Sequence, residues 1–464
     1  MSPRRAPGGA VPSRVATASS STIPLLGHRD DVVMAWRGAE PVRVSRFLSE
    51  LALVAQALPE RRYLVNLCRD RYRFAVGLAA ALVRGQVSLL PPAHTPELLR
   101  TLKDGYEGLY ALADSPTDCD VLRVVDYPAL RPGGRPMEPP AFAASSVAAI
   151  AFTSGSTGAP TPHAKTWGGL AAGAIGQAQR LELTSGDPVT LVGTVPAQHM
   201  YGLESTVLLA LRNGLALHAG RPFYPADVRA AIEQTPEQRV LVTTPVHLRA
   251  LLADHTRLPR LRLILSATAP LAADIAAEAE ELYSAPLHEV YGFTEAGMVA
   301  TRRTTQGPRW RALPGVRLWR DRGGVRVGGG HVPVEVGATD VIELIEADTF
   351  LLHGRAADLV NIAGKRSSLA YLNQQLAAVE GVEDGVFFLP DGADDAITRL
   401  TAFVVAPGLT REALLSALRS RIDPAFLPRP VHFVAALPRN VTGKLPRDAL
   451  MALARAVAEE APRA

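Results

Sequence analysis

Two cysteines in 464 residues, Cys68 and Cys119, are too few for a disulfide framework, which fits a reducing, cytoplasmic setting. Apolar runs are short as well, and none nears the roughly 18 residues that a membrane span needs. The basic excess is only +4, and no basic motif with interleaved aromatics occurs, so nucleic acid is not an expected partner. His-Glu-x-x-His and paired Cys-x-x-Cys spacings are missing, which removes the common zinc sites. What is present, 47% hydrophobic and 20% charged residues, is the balance expected of a soluble globular protein. The chain exceeds the length of one ordinary core, so two or three domains are expected. Residues 1–22 are rich in Ser, Ala, Pro and Arg without the continuous apolar core of a secretory signal; they read as a disordered leader.

Beyond residue 22 the pattern becomes regular. Apolar spacing predicts helices over 47–58 and 70–84, with strands over 62–68 and 87–90. Helices are expected again over 167–181 and 203–212, the latter closed by Asn213-Gly214. Strands are expected over 189–195, 240–243, 261–265 and 287–290. Strands alternating with helices indicate an α/β layer architecture. Between 310 and 350, many Gly and Val in short alternating runs suggest a small β subdomain. Gly354-Arg355 then opens a fresh unit. Its predicted order is helix 369–379, strands 386–389 and 400–405, helix 411–422, strand 431–435 and helix 447–458, a compact α+β module of normal domain size.

The most distinctive stretch follows a predicted buried strand over 147–152. That strand empties into Thr153-Ser154-Gly155-Ser156-Thr157-Gly158, all hydroxyl or glycine. Glycines let backbone N–H groups turn inward and hydroxyls add donors, which together make a concave anion site suited to a phosphate chain. An ordinary Ser/Gly turn is the competing account. A P-loop is excluded because no Lys follows Gly158, and a nucleophile elbow because Ser154, not Gly, stands two residues before Ser156.

Three further motifs keep order with this loop. They are Tyr291-Gly292-Phe293-Thr294-Glu295, preceded by Ser266-Ala267-Thr268-Ala269-Pro270; Thr339-Asp340 with Arg355 and Gly364-Lys365-Arg366; and Asn440-Val441-Thr442-Gly443-Lys444. Together they resemble the adenylate-forming superfamily of acyl-CoA synthetases, aryl acid ligases and adenylation domains, over everything beyond about residue 30. The resemblance implies an α/β fold with a large N-terminal ATP- and acid-binding domain (23–354) carrying a β subdomain. It also implies a hinge (355–358) and a small mobile α+β lid domain (359–464). A carboxylate would attack the α-phosphate of ATP, and a thiol would capture the acyl adenylate.

The resemblance also implies roles. Lys444 would bridge the substrate carboxylate and the α-phosphate. Thr153, Ser154, Gly155, Ser156, Thr157 and Gly158 would hold the β,γ-phosphates; Thr294 would bond the α-phosphate, and Glu295 would ligate Mg²⁺. Tyr291 would stack on adenine beside Gly292, Ala267 and Thr268. Asp340 and Arg355 would meet the ribose and Arg366 the phosphate. His199, Tyr201, Gly202, Thr244 and Ser266 would line the acid pocket, and Gly364 would clear the pantetheine tunnel. A solvated surface Lys, a core Tyr, an exposed Arg and a structural His are the plain alternatives for Lys444, Tyr291, Arg366 and His199.

Some positions depart from the family pattern. Pro160 is followed by Thr161-Pro162-His163-Ala164-Lys165 instead of Lys-Gly, so Lys165 is a candidate for the missing cation. Ala357 stands at the usual hinge Asp, leaving Asp358 as a possible pivot. These departures, with Asn66-Leu67-Cys68-Arg69-Asp70-Arg71-Tyr72, resemble the aryl acid ligases of xanthomonadin and aryl polyene pigment clusters. That branch implies a hydroxybenzoate- or hydroxycinnamate-type acid, ATP and Mg²⁺, and an acyl carrier protein as acceptor. Independently, residues 399–448 carry eight Lys or Arg against three acidic residues, which suits an acidic carrier or simply a soluble basic face. CoA as acceptor, a non-catalytic nucleotide- and carboxylate-binding protein, and a serine amidase using Ser154 or Ser156 are the rival expectations.

Overall fold

The computed structural model describes residues 21–460, except 118, 130–135, 155–159, 184–187, 237, 356–358, 363–364, 390–399 and 441–442. Two sheets organise its larger part. In the first, Val87–Leu90, Tyr63–Asn66, Tyr110–Ala113 and Arg123–Asp126 run parallel to Val147–Ser154, and Pro160–Thr166 folds back antiparallel on the edge. In the second, Ala216–His218, Thr190–Gly193, Arg239–Thr243, Leu261–Ser266 and Leu287–Phe293 are parallel neighbours. Parallel strands need helical crossovers that cover both faces, so these strands read as nearly unbroken apolar runs.

The helix Arg71–Val83 packs against strands of both sheets and on helix Val44–Ala57. Asp70 caps its N-terminus by accepting from Arg73 N at 2.9 Å. Ala79, Ala80 and Ala81 are fully buried, and small side chains are what allow the sheets to close on it. Trp167, Phe47 and Tyr72 fill the same core at 0% exposure, each contributing roughly 1.5–3 kcal/mol by burial. Among the described residues no helix is long and apolar enough to cross a membrane.

Two sequence expectations change. The helix expected over 203–212 begins as Met200–Gly202, widens into a π-helix over Leu203–Leu208, and returns to α over Leu209–Asn213 before Gly214 ends it in a left-handed cap. The β subdomain expected over 310–350 is smaller. Only Val316–Asp321, Gly324–Gly329 and Val332–Gly337 form a separate sheet, whereas Arg309–Ala312, Asp340–Leu344 and Thr349–Arg355 extend the large one. Alternation looks the same whichever sheet a strand joins. Gly354 and Arg355 close the last of these strands.

After residue 358, the hairpin Leu359–Ile362 with Lys365–Ser368 precedes a three-stranded sheet, Asp384–Phe388, Thr401–Val405 and Val431–Phe433. Helices Leu369–Ala377 and Arg411–Arg419 supply Leu372, Leu376, Leu414 and Leu418, which pack with Phe387 of the sheet in a core of its own.

Candidate active site

Neighbouring parallel strands end together, and their C-terminal ends form a crevice, the usual ligand position in open α/β sheets. Thr243 ends one strand and Thr244 follows it, Ser266 ends the next, and Tyr291 lies near the end of the third. Ser266 is fully buried, and Ala267 is 7% exposed. Thr268 holds φ +82, a conformation that β-branched residues rarely adopt and that recurs at functional sites.

The Tyr291–Glu295 segment turns tightly onto strand Gly297–Arg303, with Phe293 opposite Gly297. A Cβ at Gly292 would lie 2.4 Å from the Gly297 carbonyl oxygen, so only glycine permits this approach. The Tyr291 ring is packed between Trp310 and Phe350, each at 5.8 Å, and is 7% exposed. Its hydroxyl donates to Asp340 Oδ2 at 2.7 Å, and Asp340 stands directly opposite Arg355 in the next strand. Tyr291, Asp340 and Arg355, scattered in sequence, are therefore brought together.

On another wall, His199 stands at the N-cap position of the short helix Met200–Gly202 without a side-chain capping hydrogen bond. Gly202 is also obligatory, since a Cβ would lie 1.9 Å from the Pro196 carbonyl oxygen. Burial pushes the His199 imidazole down to about 4, and the charges of Lys444, His94 and Arg221 push the same way. Lys444 reaches this wall from the C-terminal region. Gly443, at φ +76, places a notional Cβ 3.0 Å from Val246 Cγ2 and 4.0 Å from Thr244 Oγ1. The exposed Lys444 sits on the loop before helix Arg447–Glu460. That loop is braced by Lys444 N donating to Asn440 Oδ1 at 2.9 Å and by Arg439 paired with both oxygens of Asp384 at 2.7 Å.

Glu295 is half-exposed beside His163, whose Nε2 lies 3.6 Å from Glu295 Oε1 and 2.9 Å from Thr153 Oγ1. Lys165 Nζ donates to the Glu295 main-chain oxygen at 2.8 Å. Among the described residues no cluster of three or more His, Cys, Asp or Glu could hold a metal. One accessible carboxylate near hydroxyls nonetheless fits Mg²⁺, which keeps its waters and commonly binds through one or two carboxylates plus substrate phosphates. Gly155, Ser156, Thr157, Gly158, Gly364, Ala357 and Asp358 lie outside the described residues, as do the side chains of Ser154, Arg355 and Arg366.

Several side chains not singled out in the sequence contribute here. Arg71 is 1% exposed and spans the crevice floor, donating to Gly193 O at 2.7 Å and Val195 O at 2.8 Å. Burial pushes its guanidinium down to about 10. Burial also pushes the Glu204 carboxyl up to about 7, against the pull of Lys165 and the Met298 N–H. A Cβ at Gly297 would lie 2.5 Å from Glu204 Oε1, so this glycine, at φ +77, makes room for the carboxylate. Lys165, by contrast, is the cation candidate already named from the sequence, and His163 lies two residues before it on the same strand. Glu204 and Arg71 carry no sequence signal.

Residues 57–322 match the AMP-binding enzyme family, and the chain belongs to it. A 4-coumarate–CoA ligase of Rhodobacter capsulatus is 30% identical over 305 residues, 64% of this chain and 74% of that protein. A 3-hydroxybenzoate–CoA/4-hydroxybenzoate–CoA ligase of Thauera aromatica is 35% identical over 107 residues, 22% of this chain and 20% of that protein. In fold, the chain is similar to ATP-bound MatB from Rhodopseudomonas palustris, with TM-score 0.77 and 21% identity over 92% of this chain and 97% of that one. It is equally similar to O-succinylbenzoate coenzyme A synthetase (MenE) from Bacillus subtilis in complex with AMP, with TM-score 0.77 and 19% identity over 92% and 98%. The fold is that of the adenylate-forming enzymes.

Proposed function

We propose that this AMP-forming acid–thiol ligase uses ATP to activate an aryl carboxylic acid of the hydroxybenzoate or hydroxycinnamate type. It then loads the acyl group onto the phosphopantetheine thiol of an acyl carrier protein, within a pigment or polyketide pathway. The observation that carries this reading is the approach of the Gly443–Lys444 loop to Thr244 and His199, at the strand ends where Tyr291 and Asp340 meet. The names of the relatives, which include coumarate and hydroxybenzoate ligases, support the substrate class.

In this reading each residue type answers one physical difficulty. Carboxylate and triphosphate repel, so the reaction depends on positioning and on positive charge held where negative charge grows. Lys444 supplies that charge between the acid's carboxylate and the α-phosphate. Thr294 donates to the α-phosphate. Thr153, Ser154 and the Gly155–Gly158 hydroxyl and amide groups cradle the outer phosphates. Glu295 holds the Mg²⁺, which when bound shields the leaving pyrophosphate. Asp340, fixed by Tyr291, accepts from the ribose hydroxyls, with Arg355 beside it and Arg366 on the phosphate. Tyr291 stacks on the adenine, and Ala267, Thr268 and Gly292 flank the base. His199, kept neutral, offers no competing charge to the carboxylate, and with Tyr201, Gly202, Thr244 and Ser266 it bounds the ring. The carboxylate oxygen bonds to the α-phosphorus as pyrophosphate leaves. The thiol then bonds to the acyl carbon, losing its proton, as AMP leaves.

The units proposed are a leader to residue 22, a nucleotide- and acid-binding domain over 23–354, a hinge over 355–358 and a lid over 359–464. Gly364 lies on the path proposed for pantetheine. The carrier is favoured by the basic excess over 399–448, and its location is proposed as the cytoplasm. CoA is the second reading for the acceptor, favoured by the relatives being CoA ligases. Carboxylate-dependent exchange of labelled pyrophosphate into ATP, over benzoates, cinnamates and fatty acids, tests the first half-reaction. Exchange confined to aryl acids is expected, and exchange with fatty acids alone overturns the substrate class. Offering CoA and a phosphopantetheinylated carrier to the adenylate then separates the acceptors.

A further inference from the structure

His163 and Lys165 stand two apart on strand Pro160–Thr166 and so share one face. Both are turned on a single distant residue. His163 meets the Glu295 carboxylate at 3.6 Å, and Lys165 holds the Glu295 carbonyl at 2.8 Å. The same His163 nitrogen lies 2.9 Å from Thr153 Oγ1, on the strand that leads into the hydroxyl-rich loop. Thr153 and Thr161 are paired across the hairpin, so the loop's first residue and both gripping side chains belong to one rigid two-stranded unit.

The arrangement has a consequence for charge. The sequence lacks a Lys directly after Pro160 and regains one at 165. Lys165 does not stand on the loop. Its ammonium is committed to the carbonyl of the turn, with Glu204 as an electrostatic neighbour on the far side. This cation therefore holds the main chain of Glu295, the residue proposed above as the Mg²⁺ ligand.

We propose that His163 and Lys165 are positioning residues that lock the Thr294–Glu295 turn to the Thr153 end of the loop. They thereby orient the Glu295 carboxylate toward the Mg²⁺ carried by the triphosphate. The proposal rests on the adenylation reading and adds a metal-specific effect to it. Partners that orient a metal ligand typically change metal affinity about 10–100-fold when removed.

The test is equilibrium binding, read by titration calorimetry, with ATP in EDTA and with ATP at graded Mg²⁺. In His163→Ala and Lys165→Met, the Mg²⁺ concentration for half-maximal enhancement of ATP binding should rise about tenfold or more. Binding of metal-free ATP should stay within about twofold of the parent. His163→Gln and Lys165→Arg, which keep a donor at each position, should recover most of the Mg²⁺ response and guard against loss of folding in the first pair. An equal loss with and without Mg²⁺ marks a merely structural role and overturns the proposal, as does an unchanged Mg²⁺ response. A parent protein that binds no ATP overturns the nucleotide reading itself, an outcome distinct from either.

Discussion

The two regions that meet at the crevice build their contributions in different ways. On the N-terminal side the site is set by packing. Arg71 is buried on the floor, Gly292 and Gly202 sit within van der Waals reach of carbonyls, and Tyr291 is wedged between Trp310 and Phe350. On the C-terminal side one exposed lysine rides on a loop, held by Asn440 and by the Arg439–Asp384 pair. The first region is pre-organised at the cost of tolerance, because almost any added atom collides. The second belongs to a part of the chain with its own core. Loss of one wall contact should weaken binding by degrees, whereas loss of the delivered charge should remove the chemistry while leaving the fold intact.

The sharpest way to break this contrast is Lys444→Ala. Pyrophosphate exchange should fall about 10²–10³-fold, as when one transition-state donor is removed, with the melting temperature unchanged because the side chain is exposed. A small loss would move the essential charge to the N-terminal wall. Next is Asp340→Ala, which removes a carboxylate acceptor from the wall. The KM for ATP should rise about 10- to 100-fold, corresponding to roughly 1.5–3 kcal/mol for a charged hydrogen bond, while exchange at saturating ATP is largely kept.

Acid should distinguish the regions as well. Burial pushes His199, His247 and His331, all on the N-terminal side, down to about 4. Between an unfolded value near 6.5 and the folded value near 4, the unfolded chain binds protons that the folded one does not, so stability falls as pH drops through that window. Each group accounts for about 2 kcal/mol by pH 5. His247→Gln should remove that share of the loss between pH 7 and pH 5 in urea unfolding. An unchanged pH dependence would show that the imidazole already gains water in the native state. The smallest effect is expected from Tyr291→Phe. It loses one hydrogen bond to Asp340 but keeps the ring packing, so the KM for ATP should rise about fivefold, near 1 kcal/mol.

The parts of the site legible in sequence were those written in consecutive residues. An apolar strand ending in Tyr291-Gly292-Phe293-Thr294-Glu295 announces a buried strand emptying into a polar turn, and Gly443-Lys444 announces a loop. The parts that were not legible depend on partners far along the chain. Lys165 and the Glu295 carbonyl are 130 residues apart, and Arg71 meets the Val195 carbonyl across 124. Nothing in the spacing of either residue betrays the other. Local irregularities were equally silent. The hairpin Leu359–Ile362 with Lys365–Ser368 is too short to show alternation, and the apolar pattern over 203–212 satisfies an α-helix as well as the wider coil it forms.

That wider coil, Leu203–Leu208, also bears on how this crevice could change over descent. A π-helical turn is an α-helix with one residue accommodated, and such turns gather at functional sites. Deleting any single residue within it would restore α-helical winding without disturbing the buried Leu209–Asn213 end. Because the wide turn takes up its extra residue locally, the segments on either side would keep their faces and only the residues within Leu203–Leu208 would shift. A one-codon deletion could therefore re-tile the stretch Leu203–Leu208 in a single step, where substitutions at the hemmed-in Gly202 and Gly292 could only collide with main-chain carbonyls.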